Sequence, residues 1–163
     1  MRAYSSWTLP DTVCWLSTQA AQLGAAFTVA RTDLTWSRIE RQKGVYNFTG
    51  PRGLAAQLKA AGVRPWFVVD YGNSLYTPGG GPPVKPAAVA AFANYTINAV
   101  RALAPYGCIF EIWNEPNNPS FTVSLLHGPK VYAALATAVK VSRAALKPAR
   151  SHLSHSRSDG QHD

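Results

Sequence analysis

The sequence is poor in charge, in cysteine and in long apolar runs, and each scarcity excludes a class of protein. Only 15% of its 163 residues are charged, against roughly 25% in an average domain. Low charge combined with five Trp and seven Tyr argues against a disordered chain. No uninterrupted apolar stretch approaches the roughly 18 residues of a membrane span, so we expect no membrane partner. Cys14 and Cys108 match no zinc or redox spacing, and we expect no metal and no cofactor.

Acidic residues are also few, since 8 Asp and Glu stand against 16 Lys and Arg, a net charge of +8. An excess of positive charge could attract an anionic partner. The basic residues are spread singly from Arg2 to Arg157, without a block of five or six, and we therefore expect no nucleic-acid partner. The first residues show no continuous apolar core and no small-residue cleavage site, so no signal peptide is predicted and the localisation stays unknown.

Short apolar runs alternate with helical patterns along the chain. Helices are predicted at 11–24, 51–61, 86–103 and 130–146, and strands at 26–30, 63–71 and 108–113. Pro51 is expected at the first position of its helix and Gly62 just after its end. This order of elements is typical of an α/β fold with parallel strands and right-handed crossovers.

The last stretch, 148–163, changes character. It holds three of the four His and four Ser with almost no apolar residues, which is typical of a disordered tail. His152 and His155 lack an evident third partner for a metal site. The predicted organisation is one domain at 1–147 and a tail at 148–163. The abrupt change of composition at the tail also suggests a shifted reading frame.

Functional side chains of parallel α/β folds gather at the carboxyl ends of the strands. The candidates that follow the three predicted strands are Arg31, Asp33 and Trp36, then Asp70, Tyr71, Asn73 and Tyr76, then Trp113, Asn114, Glu115 and Asn117. Amides and carboxylates suit sugar hydroxyl groups, and flat rings suit the apolar faces of pyranoses. No phosphate-binding glycine motif is present. The set therefore favours a polyhydroxylated ligand over a phosphate.

Glu115 is the sharpest catalytic candidate, because it follows a strand and stands close to Trp113 in the segment WNEP. A carboxyl group beside an indole is partly desolvated, which favours the neutral form that a general acid requires. The alternative is a carboxylate that caps the next turn. Asp70, also at a strand end, could contact a substrate or serve the fold.

Three other carboxylates have structural interpretations. Glu111 is predicted to point to the interior, where it needs a partner such as Arg31 or Arg64. Glu40 is interpreted as a loop residue that forms a salt bridge. Asp33 could cap the loop after the first predicted strand.

Three segments, in chain order, resemble those of one clan of enzymes. FEIWNEPN strongly resembles the fourth-strand motif of the clan A glycoside hydrolases, RTDLTWSRIERQKGVYNF their second-strand segment, and VRPWFVVDYGNSLY their third. The resemblance covers about 25–146 and is nearest to the cellulase-like and β-xylosidase-like families five and thirty-nine. It implies a partial (β/α)8 TIM barrel, with strands two to four and helices one to four, that ends before strand five.

The resemblance also implies roles for single residues. Glu115 would be the general acid/base of a retaining glycosidase, and Asn114 would hydrogen-bond the sugar 2-hydroxyl group. Arg31 would support the carboxylate of the nucleophile.

Three aromatic residues, Trp36, Tyr76 and Phe121, could line the sugar subsites by the same resemblance. For each of these rings, packing in the core is an equal alternative. The implied partner is an oligosaccharide or a polysaccharide.

One carboxylate of the implied mechanism is missing. The resemblance places the nucleophile, a Glu, at the end of strand seven, whereas no Glu follows Glu115. We therefore expect an inactive or incomplete fragment of a glycoside hydrolase, with a non-catalytic carbohydrate-binding remnant as the alternative. Unpaired strands of a partial barrel also predict marginal stability or self-association through open sheet edges.

Overall fold

The computed structural model describes residues 28–118 and 128–144, without the side chains of 128 and 141–144. In this range the strands are β1 (Val29–Thr35), β2 (Arg64–Asp70) and β3 (Ile109–Ile112). The helices are α1 (Trp36–Ile39), α2 (Thr49–Ala60), α3 (Pro86–Leu103) and α4 (Gly128–Ala144), with short 3-10 turns at Pro78–Gly80 and Ala104–Tyr106. The α/β class predicted from the sequence is confirmed.

The described strands form one parallel sheet in the order β1-β2-β3. Thr35 lies opposite Asp70 in the register of the first pair, and Val68 lies opposite Glu111 in the second. Since successive residues of a strand point to opposite faces, the sheet has one apolar face and one polar face. The apolar face packs against the helices; the polar one, here called the inner face, carries Arg31, Asp33, Val68, Asp70 and Glu111.

The core lies between the apolar face of the sheet and the helices. Phe67 and Val69 of β2 are almost fully buried there, as are Phe92 and Leu103 of α3. Leu135 attaches α4 to this core with no exposed surface. Each such side chain stabilises the fold by about 1.5–3 kcal/mol through burial. Because these side chains belong to one cluster, the described elements share one hydrophobic core.

Three of the predicted helices are confirmed, with ends within two residues of those of α2, α3 and α4. Pro86 is the first residue of α3, where its fixed φ is favourable. Pro51 is the third residue of α2 rather than the first. Gly62 follows α2 with a φ of 75°, the left-handed conformation in which a glycine ends a helix without strain. The helix predicted at 11–24 lies outside the described residues.

The first strand differs from its prediction, whereas β2 and β3 match theirs within one residue at each end. The sequence predicts a strand at 26–30 that ends at Arg31, but β1 continues to Thr35. Arg31 and Asp33 project to the inner face between residues that face the helices, such as Leu34. Charged side chains on that face made the second half of the strand look like a loop.

Within the described ranges, no helix combines the length and the apolar character needed to cross a membrane. In the same ranges, no group of three or more His, Cys, Asp or Glu side chains is placed to hold a metal ion. Cys108 is a half-buried free thiol. Cys14 and the tail predicted at 148–163 lie outside the part that the structure describes.

Candidate functional site

Arg31 connects the strands at the inner face. Its Nε donates to Glu111 Oε2 at 2.9 Å and its Nη2 to Glu111 Oε1 at 3.0 Å, a bidentate ion pair. These hydrogen bonds lower the pKa of Glu111 and raise that of Arg31. The partner expected for Glu111 is confirmed as Arg31, since Arg64 donates instead to the carbonyl oxygen of Gly107 at 2.9 Å.

The same guanidinium group reaches the residue after the third strand. Nη2 of Arg31 also donates to Oδ1 of Asn114 at 3.0 Å. Nδ2 of Asn114 lies 3.5 Å from the hydroxyl oxygen of Tyr71, which follows β2. Arg31 from within β1, Tyr71 after β2 and Asn114 after β3 therefore meet, and Arg31 is a strand residue rather than one that follows its strand as predicted.

The backbone turns sharply after β3. Trp113 has a φ of 64° and Glu115 a φ of 41°, so two non-glycine residues adopt left-handed conformations. Such conformations cost about 1–3 kcal/mol each and cluster at functional sites. The Trp113 ring is buried edge-on against Phe92, with the ring centroids 5.7 Å apart, and the backbone N–H of Trp113 donates to the carbonyl oxygen of Val69 at 3.0 Å. This anchored elbow, residues 113–115, brings Glu115 to the surface.

The environment of Glu115 differs from the expected one. The Trp113 ring enters the core, while the Glu115 side chain is exposed. Oε2 of Glu115 accepts a hydrogen bond from Nδ2 of Asn118 at 2.9 Å, and the Asn118 N–H donates to the Glu115 carbonyl oxygen at 2.9 Å. The expectation of a carboxyl group desolvated by the indole is wrong for the described residues, and the carboxylate is accessible to a ligand from solution.

Asp70 has the most perturbed carboxyl group of the inner face. It has no exposed surface at the end of β2, and neither of its oxygens accepts a hydrogen bond from a donor among the described residues. Burial, reinforced by the negative charge of Asp33, raises the pKa of Asp70 to about 8. Asp70 is therefore mostly neutral at pH 7. Asp33 is a strand residue beside it rather than the loop cap that the sequence suggested.

Trp36 lies in the core rather than at the surface of the site. Its ring has no exposed area and stacks on Tyr76 at 5.0 Å and on Tyr95 at 5.9 Å. Tyr76 is half-buried, with Nζ of Lys43 5.3 Å from its ring centroid. These placements match the core-packing alternative that the sequence left open for both rings. Phe121, the third ring, lies outside the described residues.

Glu40 holds the Trp36 and Tyr76 side chains in place through hydrogen bonds. It is fully buried, and its carboxylate accepts hydrogen bonds from Trp36 Nε1, from the Tyr76 hydroxyl group and from the Gly44 N–H. Nδ2 of Asn73 donates to the Glu40 carbonyl oxygen at 2.8 Å. The salt bridge expected for Glu40 is wrong: its three donors are uncharged, and it joins the loops after β1 and β2. Trp36 and Gly44 each lie four residues from Glu40, whereas Tyr76 lies 36 residues away, and a local sequence pattern cannot show that third contact.

A cleft of about 730 Å³ borders the second half of β1, at Asp33, Leu34 and Thr35. Leu34, Leu54 and Phe67, which belong to the core, line part of it, and Arg38 lies at its rim. Asn114 and Glu115 do not line this cleft. The candidate site at the strand ends is therefore a separate, open surface in the described part of the chain.

Solved structures of glycoside hydrolases share this fold. A family 39 glycoside hydrolase from the gut symbiont Bacteroides cellulosilyticus WH2 matches with a TM-score of 0.58 and 24% identity over 82% of this chain and 26% of that chain. The apo structure of a beta-glucosidase 1317 matches with a TM-score of 0.55 and 21% identity over 88% of this chain and 38% of that one. No family model and no curated protein matches the chain.

These similarities confirm the resemblance in fold that the sequence motifs predicted. The chain has the α/β architecture of part of a glycoside hydrolase barrel and spans 26% and 38% of the lengths of the two proteins.

Proposed function

We propose that the chain carries the acid/base half of a retaining glycosidase site, with an oligosaccharide or polysaccharide as its ligand. The observation that supports this most directly is the strained elbow at 113–115, which holds Asn114 and Glu115 at the end of β3 in a fold shared with glycoside hydrolases. An exposed carboxylate beside an oriented amide suits a ligand with an oxygen to protonate and a hydroxyl group to bind.

Glu115 would act as the general acid, giving its proton to the glycosidic oxygen while the bond to the anomeric carbon breaks and a nucleophilic carboxylate supplied from elsewhere forms a bond to that carbon. It would then act as the general base on the attacking water. The Asn114 amide would bind the sugar 2-hydroxyl group, a contact that strengthens in the transition state.

A retaining mechanism requires a second carboxylate about 5–5.5 Å from the first. Two described carboxyl groups are poor candidates for that nucleophile: Asp70 is buried and neutral, and Glu111 is held in its ion pair with Arg31. We therefore expect the chain by itself to bind sugar with little or no hydrolysis. This also favours the second candidate function, a carbohydrate-binding remnant without turnover.

Titration of the 15N-labelled full chain with cello-oligosaccharides and xylo-oligosaccharides tests the sugar site. We expect saturable shifts of the backbone amides at 113–115 and of the Asn114 side chain, which Asn114→Ala weakens several-fold. Lys140→Gln, an exposed change on α4, is the matched control and should bind like the parent. Shifts confined to the cleft along β1, or binding insensitive to Asn114→Ala, would contradict the proposed site.

A further inference from the structure

Glu111 performs no step of the proposed chemistry, yet it is connected to the sugar-binding amide. Arg31 donates to both oxygens of Glu111, at 2.9 and 3.0 Å, and to Oδ1 of Asn114 at 3.0 Å. We propose that Glu111 is a positioning residue, which acts through Arg31 to hold the Asn114 amide with its oxygen inward and its NH2 group available to the ligand.

The chemistry of the three groups fixes the orientation of the amide. A guanidinium group has only N–H donors, whereas an amide has an acceptor end and a donor end. Turning the Asn114 amide over would place its NH2 donors against those of Arg31 and lose the contact at 3.0 Å. The Asn114 oxygen is therefore satisfied within the protein, and since the NH2 group has two N–H donors, one can face the Tyr71 hydroxyl oxygen at 3.5 Å while the other meets a ligand.

Glu111 is needed because Arg31 is not held by burial. The Arg31 side chain is 43% exposed, so packing alone would not prevent it from changing rotamer. A bidentate pair with a carboxylate fixes both the position and the plane of a guanidinium group. The pair joins β1 to β3 across β2, where Val68 of the inner face is fully buried. The orientation of Asn114 thus depends on a residue that does not touch it.

A ligand preference follows, and this part rests on the proposed function. A group that meets the Asn114 NH2 must accept a hydrogen bond. A 2-hydroxyl group can accept, whereas the ammonium group of a 2-amino sugar is only a donor. Since the loss of one hydrogen bond weakens binding about fivefold, we expect about a fivefold preference for methyl β-glucoside over methyl 2-amino-2-deoxy-β-glucoside.

The first experiment needs no ligand and uses the NMR signals of the Asn114 side-chain NH2 in the full chain. In Glu111→Gln we expect these signals to shift and to broaden or double, because the amide samples both orientations. Arg64→Gln, which loses a similar contact with Gly107 near the start of β2, is the matched control and should leave them unchanged. A folded Glu111→Gln chain with an unaltered Asn114 NH2 overturns the proposal.

A second variant covers the case in which Glu111→Gln does not fold. Arg31→Lys keeps the positive charge, but a single ammonium group lacks the planar fork that holds Glu111 and Asn114 together. It should alter the same Asn114 signals in a chain with a dispersed backbone spectrum. Unchanged signals in this variant also overturn the proposal.

The second experiment measures binding of the two methyl glycosides by the parent and by Glu111→Gln. We expect the fivefold preference to fall toward one in the variant. An unchanged preference overturns the positioning role while leaving the sugar site intact. If neither glycoside binds but the Asn114 signals respond to Glu111→Gln, the proposed function fails and the positioning of the amide stands.

Discussion

Asp70 and Glu111 show how two carboxyl groups on one sheet face acquire opposite properties. Glu111 forms a bidentate ion pair with Arg31, which favours the charged form of the carboxyl group and lowers its pKa. Asp70 is fully buried beside Asp33, and its pKa is raised to about 8. Burial is the largest cause of the raised pKa of Asp70, whereas the hydrogen bonds from Arg31 are the largest cause of the lowered pKa of Glu111.

The raised pKa of Asp70 predicts an unusual pH dependence of stability. The folded chain keeps a proton on Asp70 that the unfolded chain, with the ordinary pKa of 3.8, releases. The free energy of unfolding should therefore fall as the pH rises from about 4 to about 8, by up to about 1.4 kcal/mol per pH unit. Above that window the loss is complete, and below it the contribution is fully present.

Urea unfolding of the parent and of Asp70→Asn between pH 5 and pH 8 measures this dependence. The amide cannot ionise, so the variant should lose most of the slope and be the more stable protein at pH 8. Asp33→Asn removes the neighbouring negative charge and should give an intermediate slope. Parallel pH profiles for the parent and Asp70→Asn would show that Asp70 does not hold the proton.

At the scale of elements, the loops after β1 and β2 are locked together. Asn73 and Tyr76 from one loop bond to Glu40 of the other, and Thr77 Oγ1 donates to the carbonyl oxygens of Asn73 at 3.1 Å and Gly81 at 2.8 Å. These bonds satisfy polar groups that would otherwise be buried without partners. The two loops should therefore respond to mutation as one unit.

Gly72 is the tightest point of this unit, because an added Cβ would lie 2.0 Å from the carbonyl oxygens of both Gly80 and Gly81. Backbone oxygens cannot move aside cheaply, so Gly72→Ala should destabilise the chain by about 1–3 kcal/mol in urea unfolding. Gly53→Ala, inside α2, is the matched control: its Cβ would meet nothing within 4 Å. That variant should be more stable by about 0.5–1 kcal/mol. Equal effects of the two substitutions would refute the packing argument.

The elements that sequence could predict are those with local signals. Pro86 and Gly62 mark helix ends, and the helices follow them closely. The extent of β1 was missed because its charges face inward, although the alternation of Arg31, Thr32, Asp33 and Leu34 is itself a strand pattern. That alternation is the signal that could have placed Asp33 beside Asp70.

The residues of the candidate site also divide into those that local sequence signals predict and those that depend on tertiary contacts. Parity along β3 predicts that Glu111 faces the interior but leaves its partner open between Arg31 and Arg64, and the strand-end rule selects Asn114 and Glu115 as candidates. The buried position of Trp36 could not be predicted, because it depends on the rings of Tyr76 and Tyr95, which lie far away in the chain. Tertiary contacts, rather than local sequence, decide which aromatic rings pack in the core.

At the scale of the whole molecule, charge of the two signs is separated. Among the described residues, the helices α1 to α4 contain no Asp or Glu, and the acidic residues lie on strands or in the loops that follow them. The outer helical layer is thus cationic, while the inner face and the strand ends hold the negative charges. Like charges on the helices disfavour association through that layer, which leaves the sheet edges as the route for contact between copies.

We predict that the chain self-associates through these edges. In the described part of the chain, β1 and β3 each have one neighbour, and an unpaired strand edge presents free backbone donors and acceptors. Light scattering should show a mass that rises with protein concentration. Val29→Lys places a charge on β1 and should reduce the effect, whereas Val84→Lys, in an exposed loop position, should not. A constant monomer mass for the parent would rule this prediction out.

The central claim, that Glu115 is the general acid of a glycosidase site, is tested most directly by supplying the nucleophile from solution. Azide or formate can form the new bond to the anomeric carbon of an aryl β-glycoside. The glycosidic bond breaks as the new bond forms, its electron pair stays on the aryl oxygen, and a basic phenolate oxygen takes the proton of Glu115 to leave as the phenol.

The decisive measurement is the anion-dependent cleavage rate of phenyl and 2,4-dinitrophenyl β-glycosides by the parent and by Glu115→Gln. General acid catalysis contributes about 10²–10⁴-fold, so the variant should lose at least about a hundredfold on the phenyl substrate. It should lose little on the dinitrophenyl substrate, whose leaving group needs no proton. An equal loss on both substrates, or cleavage that does not depend on Glu115, would contradict the account.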